Sequence, residues 1–345
     1  MIKNKHRSAL WVVCAFVLSV GLSKNSVRAL TETEHKPTAR NLVAIGLIWE
    51  GMHLREPNLD ALRRFRERFP TIPLIQYLNP AYLLRETSGT HSAKGEAARL
   101  IRKTLREEDL YGYHLHPWKS ITQATSVAFR NEPSVWGEQK LPGPCQPDCG
   151  HDIPLSAYKP GEIIELLREG LKILSSSGFS EPKIFMAGSW MASPQVLADV
   201  RSLGIEFDLS PVRTDSIRQK IGAYPLAGWL EHLWSHLQKQ RTLLPFYTEH
   251  GVIFQGVQDF FPSMGQSPES IYDEIKSRLA SPEKKQLIHI SLHQESFFEF
   301  EQQMTELASA LEELRKSSGQ FDWLHSAEQL RWLATANHKE SLASE

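Results

Sequence analysis

Three cysteines in 345 residues are too few to staple a disulfide scaffold, so this chain must fold around a hydrophobic core. It also lacks any excess of positive charge, with 39 Lys and Arg against 40 Asp and Glu. That excludes a general nucleic-acid binder, which needs a basic surface. Internal repeats and low-complexity tracts are missing too, so no repeat array organises the chain. Past residue 29 no run is apolar enough to cross a membrane. What remains is ordinary globular composition, 41% apolar and 23% charged, with length for one or two domains.

The first 29 residues do not belong to that globule. Lys3, Lys5 and Arg7 precede an apolar run from Ala9 to Leu22, and Val27-Arg28-Ala29 follows. This is the layout of a secretory signal peptide cleaved after Ala29. A secreted or periplasmic protein is expected, with residues 30–40 a disordered lead-in. Removing residues 1–29 leaves 34 basic against 40 acidic residues, net −6. Cys14 leaves with the signal. Cys145 and Cys149 stay, and in an exported chain such a pair reads as a disulfide. Half of a zinc site is the rival reading, though no second cysteine pair exists to complete it.

Strand and helix patterns alternate. Asn41 to Trp49 is continuously apolar, as in a strand buried on both faces. Asn58 to Phe69 has helix periodicity, with Asn58 as its N-cap. Strands follow over Pro73 to Leu78, Leu110 to His116, Lys183 to Ala187, Ile205 to Leu209, Gln286 to Leu292 and Phe321 to Leu324. Helices are expected over 93–106, 160–176, 193–203, 296–316 and 327–333. This alternation predicts an α/β fold, a distorted (β/α) barrel of about seven parallel strands over 41–335, with 336–345 a frayed tail. Lys119 to Tyr158 is a long irregular insertion, braced by the cysteine pair. Thr214 to Phe261 is an inserted β-hairpin region.

Chemistry in such barrels sits at the C-terminal ends of the strands. The first strand ends in Trp49-Glu50-Gly51. The third ends in His114-Leu115-His116-Pro117-Trp118, and period 2 puts both imidazoles on one face. The late strand places His289, Ser291 and His293 on one side. Glu50, His114 and His116 supply one carboxylate and two imidazoles, a ligand set for catalytic zinc. Bound zinc would activate water, with His293 as general acid. Each of these residues also has an ordinary structural reading: a hydrogen-bonded histidine, or a carboxylate paired with Arg55. In the insertion, His151 or Asp152 could reach the same centre, or simply form a polar turn with Asp148. Trp118, Trp136 and Trp190 are candidate sugar-stacking platforms, though large aromatics are also ordinary core residues.

Taken in order, these features resemble the polysaccharide deacetylases of carbohydrate esterase family 4. Leu47-Ile48-Trp49-Glu50-Gly51 stands where that family has paired aspartates. Gly112 to Trp118 stands at its histidine motif, and Phe185 to Trp190 at its arginine motif. Phe207-Asp208-Leu209-Ser210 and Ile290-Ser291-Leu292-His293 resemble its later strand ends. The resemblance implies a distorted barrel, a divalent metal, usually zinc, and removal of acetyl groups from a polysaccharide or cell-wall glycan. This chain departs from the pattern. Its histidines are two apart, not four. Glu50 replaces the aspartate pair, and Met186 stands for the arginine. A divergent branch with a His-x-His-Pro-Trp motif fits, and it would need another base: Asp152, Asp148 or Asp208. Two alternatives stay open. One is a carbohydrate-binding barrel that has lost its base. The other is a glycoside hydrolase pairing Glu50 with Asp152 or Asp208.

Overall fold

A computed structural model describes residues 41–343, apart from 86–94, 138–147, 216–217, 219–221, 238–241, 261, 263–264 and 282–284. The expected signal peptide and lead-in lie outside the described residues, as does Cys145.

Among the described residues nine strands share one sheet: β1 (Asn41–Ile48), β2 (Leu74–Leu78), β3 (Leu110–Leu115), β4 (Ile184–Ala187), β5 (Phe207–Asp208), β6 (Leu244–Thr248), β7 (Gly251–Gln255), β8 (Leu287–His293) and β9 (Phe321–Trp323). Their order is β6-β7-β5-β4-β3-β2-β1-β8, with β9 also on β1. Every pairing is parallel except the β6–β7 hairpin. The sheet curls, and an isolated parallel bridge joins Phe260 to Ile290 on β8. About seven parallel strands were expected. The two further ones come from β7, which joins the sheet beside β5, and from its antiparallel partner β6.

All eight residues of β1 are buried, as a strand covered on both faces requires. Helices α1 (Glu56–Arg68), α5 (Pro160–Ser176), α6 (Pro194–Ser202) and α9 (Phe297–Ser318) lie near their expected spans, while α3 (Glu96–Arg102) is shorter. Short α2 (Ala81–Arg85) and α4 (Lys119–Gln123) sit between them. Helix α7 (Pro225–Trp234) occupies the region read as hairpin, ahead of β6 and β7. Helix α8 (Pro268–Ala280) was legible but unread: Ser267 caps it, and Ile271, Ile275 and Leu279 recur at fours. Helix α10 (Ala327–Ala343) runs on through residues read as tail.

Asn58 is not an N-cap. Helix α1 starts earlier, with Pro57 in its first turn, where a missing N–H costs nothing. The Asn58 side chain ties two later segments together instead. Its Nδ2 donates to the Glu295 carbonyl at 2.6 Å, and its Oδ1 accepts from the Phe298 N–H at 3.0 Å.

With Cys145 outside the described residues, the expected disulfide brace falls there as well. Within the described residues the insertion is held by hydrogen bonds and an ion pair. Lys119 N–H donates to the Cys149 carbonyl at 2.8 Å, and Val135 N–H to that of Asp152 at 2.8 Å. Asp148 accepts from the Ser120 N–H at 3.2 Å and pairs with Arg85 at 3.2 Å.

Candidate metal centre at the mouth of the sheet

Parallel strands put their C-terminal ends on one rim. Glu50 follows β1, His114 lies in the last pleat of β3 and His116 just past it, and His293 closes β8, where it pairs in register with Ile48. The structure brings all four side chains together. Glu50 Oε2 lies 2.7 Å from His116 Nε2, and Glu50 Oε1 lies 3.7 Å from His114 Nε2 and 2.7 Å from His293 Nε2.

Each of the paired histidines is fixed from behind. His114 Nδ1–H donates to the Met186 carbonyl at 2.9 Å, and His116 Nδ1–H donates to the His151 carbonyl. Such anchors set the tautomer and turn Nε2 inward, as around metals. Gly188 permits the close packing: a Cβ there would come 2.6 Å from His116 Nδ1. The backbone behind Glu50 is held too. Its carbonyl accepts from Trp118 Nε1 and Asn79 Nδ2, each at 3.0 Å.

The buried Nε2 atoms of His114 and His116 make no aligned hydrogen bond despite the nearby carboxylate. Glu50, His114 and His116 offer three ligand atoms within 4.8 Å of one another. Ligands of a tetrahedral zinc, about 2.1 Å from the ion, sit roughly 3.4 Å apart. The 3.7 Å from His114 to Oε1 is close to that spacing, while the 2.7 Å from His116 to Oε2 is hydrogen-bond distance and would have to open to admit an ion. These residues fit a divalent ion.

Burial alone would raise the Glu50 carboxyl, but His116, His293 and His114 outweigh it and hold the group well below its usual range. Burial lowers His114, with Glu50 opposing only in part. His116 is buried as well, yet Glu50 beside it turns the balance and raises it.

A cavity of about 330 Å³ opens over the cluster. His293, His151, Trp136 and Trp190 line it, while Asp152 and Trp118 do not. Asp152 is buried and accepts from Ser134 Oγ at 2.6 Å. Trp118 is only 3% exposed, with the Arg85 guanidinium 4.4 Å from its ring centre and the His151 ring stacked at 5.1 Å. It buttresses Glu50 and offers no face to a sugar. Asp148 is tied to Ser120 and Arg85. Asp208 sits deep in the sheet, accepting from Gln255 Nε2 at 2.9 Å and from Ser210.

Glu295 is a site residue that sequence reading missed. It lines the cavity, and its carboxylate accepts from the backbone N–H of Glu50 at 3.4 Å and of Met52 at 3.3 Å, and from Tyr82 Oη. Burial, with Glu50 nearby, pushes its carboxyl up to about 8. Strand alternation could not find it: β8 ends at His293, and Glu295 stands in the 3-10 turn Gln294–Ser296 that follows.

Among solved structures, a Mycobacterium smegmatis protein assigned as a polysaccharide deacetylase aligns over 87% of this chain and 92% of its own, at 10% identity and a TM-score of 0.49. A 4-alpha-glucanotransferase from Thermococcus litoralis aligns over 84% of this chain and 40% of its own, at 12% identity and a TM-score of 0.46. A family 4 carbohydrate esterase from Streptomyces lividans aligns over 80% of this chain and 90% of its own, at 8% identity and a TM-score of 0.39. No family model matches the chain, and no curated protein does. Likenesses this distant do not identify a chemistry, so the site's own side chains must.

Proposed function

We propose that this protein is an exported, metal-dependent hydrolase that removes acyl groups from a glycan, in the manner of a polysaccharide deacetylase. The observation carrying this reading is the convergence of Glu50, His114 and His116, with both imidazoles anchored at Nδ1 and unaligned at Nε2.

Glu50, His114 and His116 would hold the cation, most simply zinc. When bound, such an ion supplies a Lewis acid that polarises a carbonyl and acidifies water. The chain supplies the rest. His293 faces Glu50 from the cavity side with its own side chain 25% exposed, so its Nε2 can exchange a proton with a leaving group. Glu295 fixes the turn that carries Glu50 and acts as a positioning residue. Trp136 and Trp190 stand at the cavity wall where substrate enters.

The base expected at Asp152 is not part of this scheme. Asp152 is held by Ser134 away from the cavity lining, and Asp208 is sealed in the sheet. Pairing either with Glu50 across a glycosidic bond therefore lacks support. Among the described residues, the titratable groups facing the cavity are Glu50, Glu295 and the four histidines.

The test is metal content of the purified protein, together with acid release from acylated glycans. Stoichiometric zinc and activity that both vanish in His114→Ala/His116→Ala are expected. No bound metal, with hydrolysis unaffected by that double substitution, would overturn the reading.

A further inference from the structure

The wall of the cavity is poorly suited to a sugar. Away from the ligand cluster most of it is apolar, with Met52, Met186, Leu226, Trp136 and Trp190, while Ser189, Ser296, His151 and Glu295 are its polar members. No Asp, Asn, Gln, Arg or Lys is among the described residues that line it. A pyranose ring drawn inside would find partners for its hydroxyls only at Ser189, Ser296 and the titratable groups, and unmatched polar groups are costly to bury. An aliphatic chain has no such groups, and apolar walls reward it.

Size points the same way. A volume of about 330 Å³ holds roughly ten heavy atoms at the ~30 Å³ that a water occupies. Acetyl would fill a small part of it.

We propose that this cavity takes the acyl group, and that the group is an aliphatic chain longer than acetyl, with the sugar left at the rim. The inference rests on the hydrolase reading and names its substrate as a glycan bearing an ester- or amide-linked aliphatic acyl chain. In the reaction the bond from the acyl carbon to the leaving oxygen or nitrogen breaks. Water gives its hydroxyl to the acyl carbon and its proton to the leaving group. The products are a carboxylic acid and a free alcohol or amine.

The experiment measures binding of acetate, butyrate, hexanoate and octanoate to the full protein by calorimetry, with and without zinc. Initial rates on the matching 4-nitrophenyl esters are measured beside it. Affinity should rise about fourfold per added methylene until the cavity is full, and kcat/KM should follow the same rank. Leu226→Trp should flatten the rise beyond butyrate, and Leu226→Phe should flatten it less. Equal affinity for acetate and octanoate, a preference for acetate, or no binding of any acid overturns the proposal. Wild-type protein that binds no zinc yet prefers longer acids would leave the acyl pocket standing while the metal reading falls, so the two fail separately.

Discussion

The mouth and the interior of the curled sheet both bury imidazoles and carboxylates, and β8 contributes a histidine to each. In the interior, His289 Nε2 lies 3.2 Å from Tyr77 Oη, and Asp208 is filled by Ser210 and Gln255. At the mouth, two imidazoles are anchored from behind and converge with Glu50 on a point with no aligned donor. His289 and His293 share one face of β8 but differ in depth by two steps of two. Burial pushes His289 down to about 3, whereas His293 reaches the cavity. Alternation selects a face, and depth along the strand decides whether a histidine is core or site.

The strongest test of that division is metal affinity. His114→Ala/His116→Ala should weaken zinc binding at least about a hundredfold, since even second-shell losses cost 10–100-fold. His289→Ala should leave zinc stoichiometry intact. Titration with a competing chelator reads both. Loss of zinc in His289→Ala would erase the distinction between the two depths.

His289→Ala should show in stability instead. It opens a cavity against Gly46 and Tyr77 and strands the tyrosine hydroxyl, for a cost of about 2 kcal/mol at pH 7.5. A pH signature accompanies it. The folded protein keeps His289 neutral down to about pH 3, while the unfolded chain protonates it near 6.5. The unfolded state therefore binds the extra proton, and stability is lost as pH falls below 6.5. This site alone contributes a slope of about 1.4 kcal/mol per pH unit. Denaturant midpoints of zinc-free protein between pH 4.5 and 7.5 should fall less steeply in His289→Ala. Parallel curves would mean the imidazole is not held neutral.

Glu295 sharpens the mouth's side of the comparison. Glu295→Ala removes the acceptor for the Glu50 and Met52 N–H groups and should lower zinc affinity roughly tenfold. Glu295→Gln keeps an acceptor and should recover most of that loss. Equal losses in both variants would point to charge, and not to positioning.

Much of the frame was legible because buried parallel strands are long apolar runs, and β1, β2, β3 and β8 are of that kind. The site residues were legible for the same reason: period 2 from Ile48 reaches Glu50, and from Gly112 reaches His114 and His116. What the chain hides is everything set by tertiary contact. Asn58 looks like a cap, yet it crosses to Glu295 and Phe298. Two-residue β5 is too short to show a period, and β7 joins the sheet only because β5 is there to receive it. Asp152 and Trp118 had the right chemistry in the right stretch, but Ser134, Arg85 and His151 had already claimed them.

Trp118 gives the smallest effect and the most discriminating readout. Its indole N–H donates to the Glu50 carbonyl, which Asn79 also serves. Trp118→Phe should therefore cost about 1 kcal/mol of stability, the net worth of one hydrogen bond, with zinc affinity reduced only a few-fold. KM for an acylated glycan should hardly move, because both ring faces are covered. Trp136→Ala stands opposite it. That indole is half-buried on the cavity wall, with its ring edge-on to Tyr224 at 5.1 Å, so its loss should raise KM several-fold and leave zinc binding alone. If Trp118→Phe raised KM while Trp136→Ala did not, the platform would be Trp118, and the insertion would have to open to expose it.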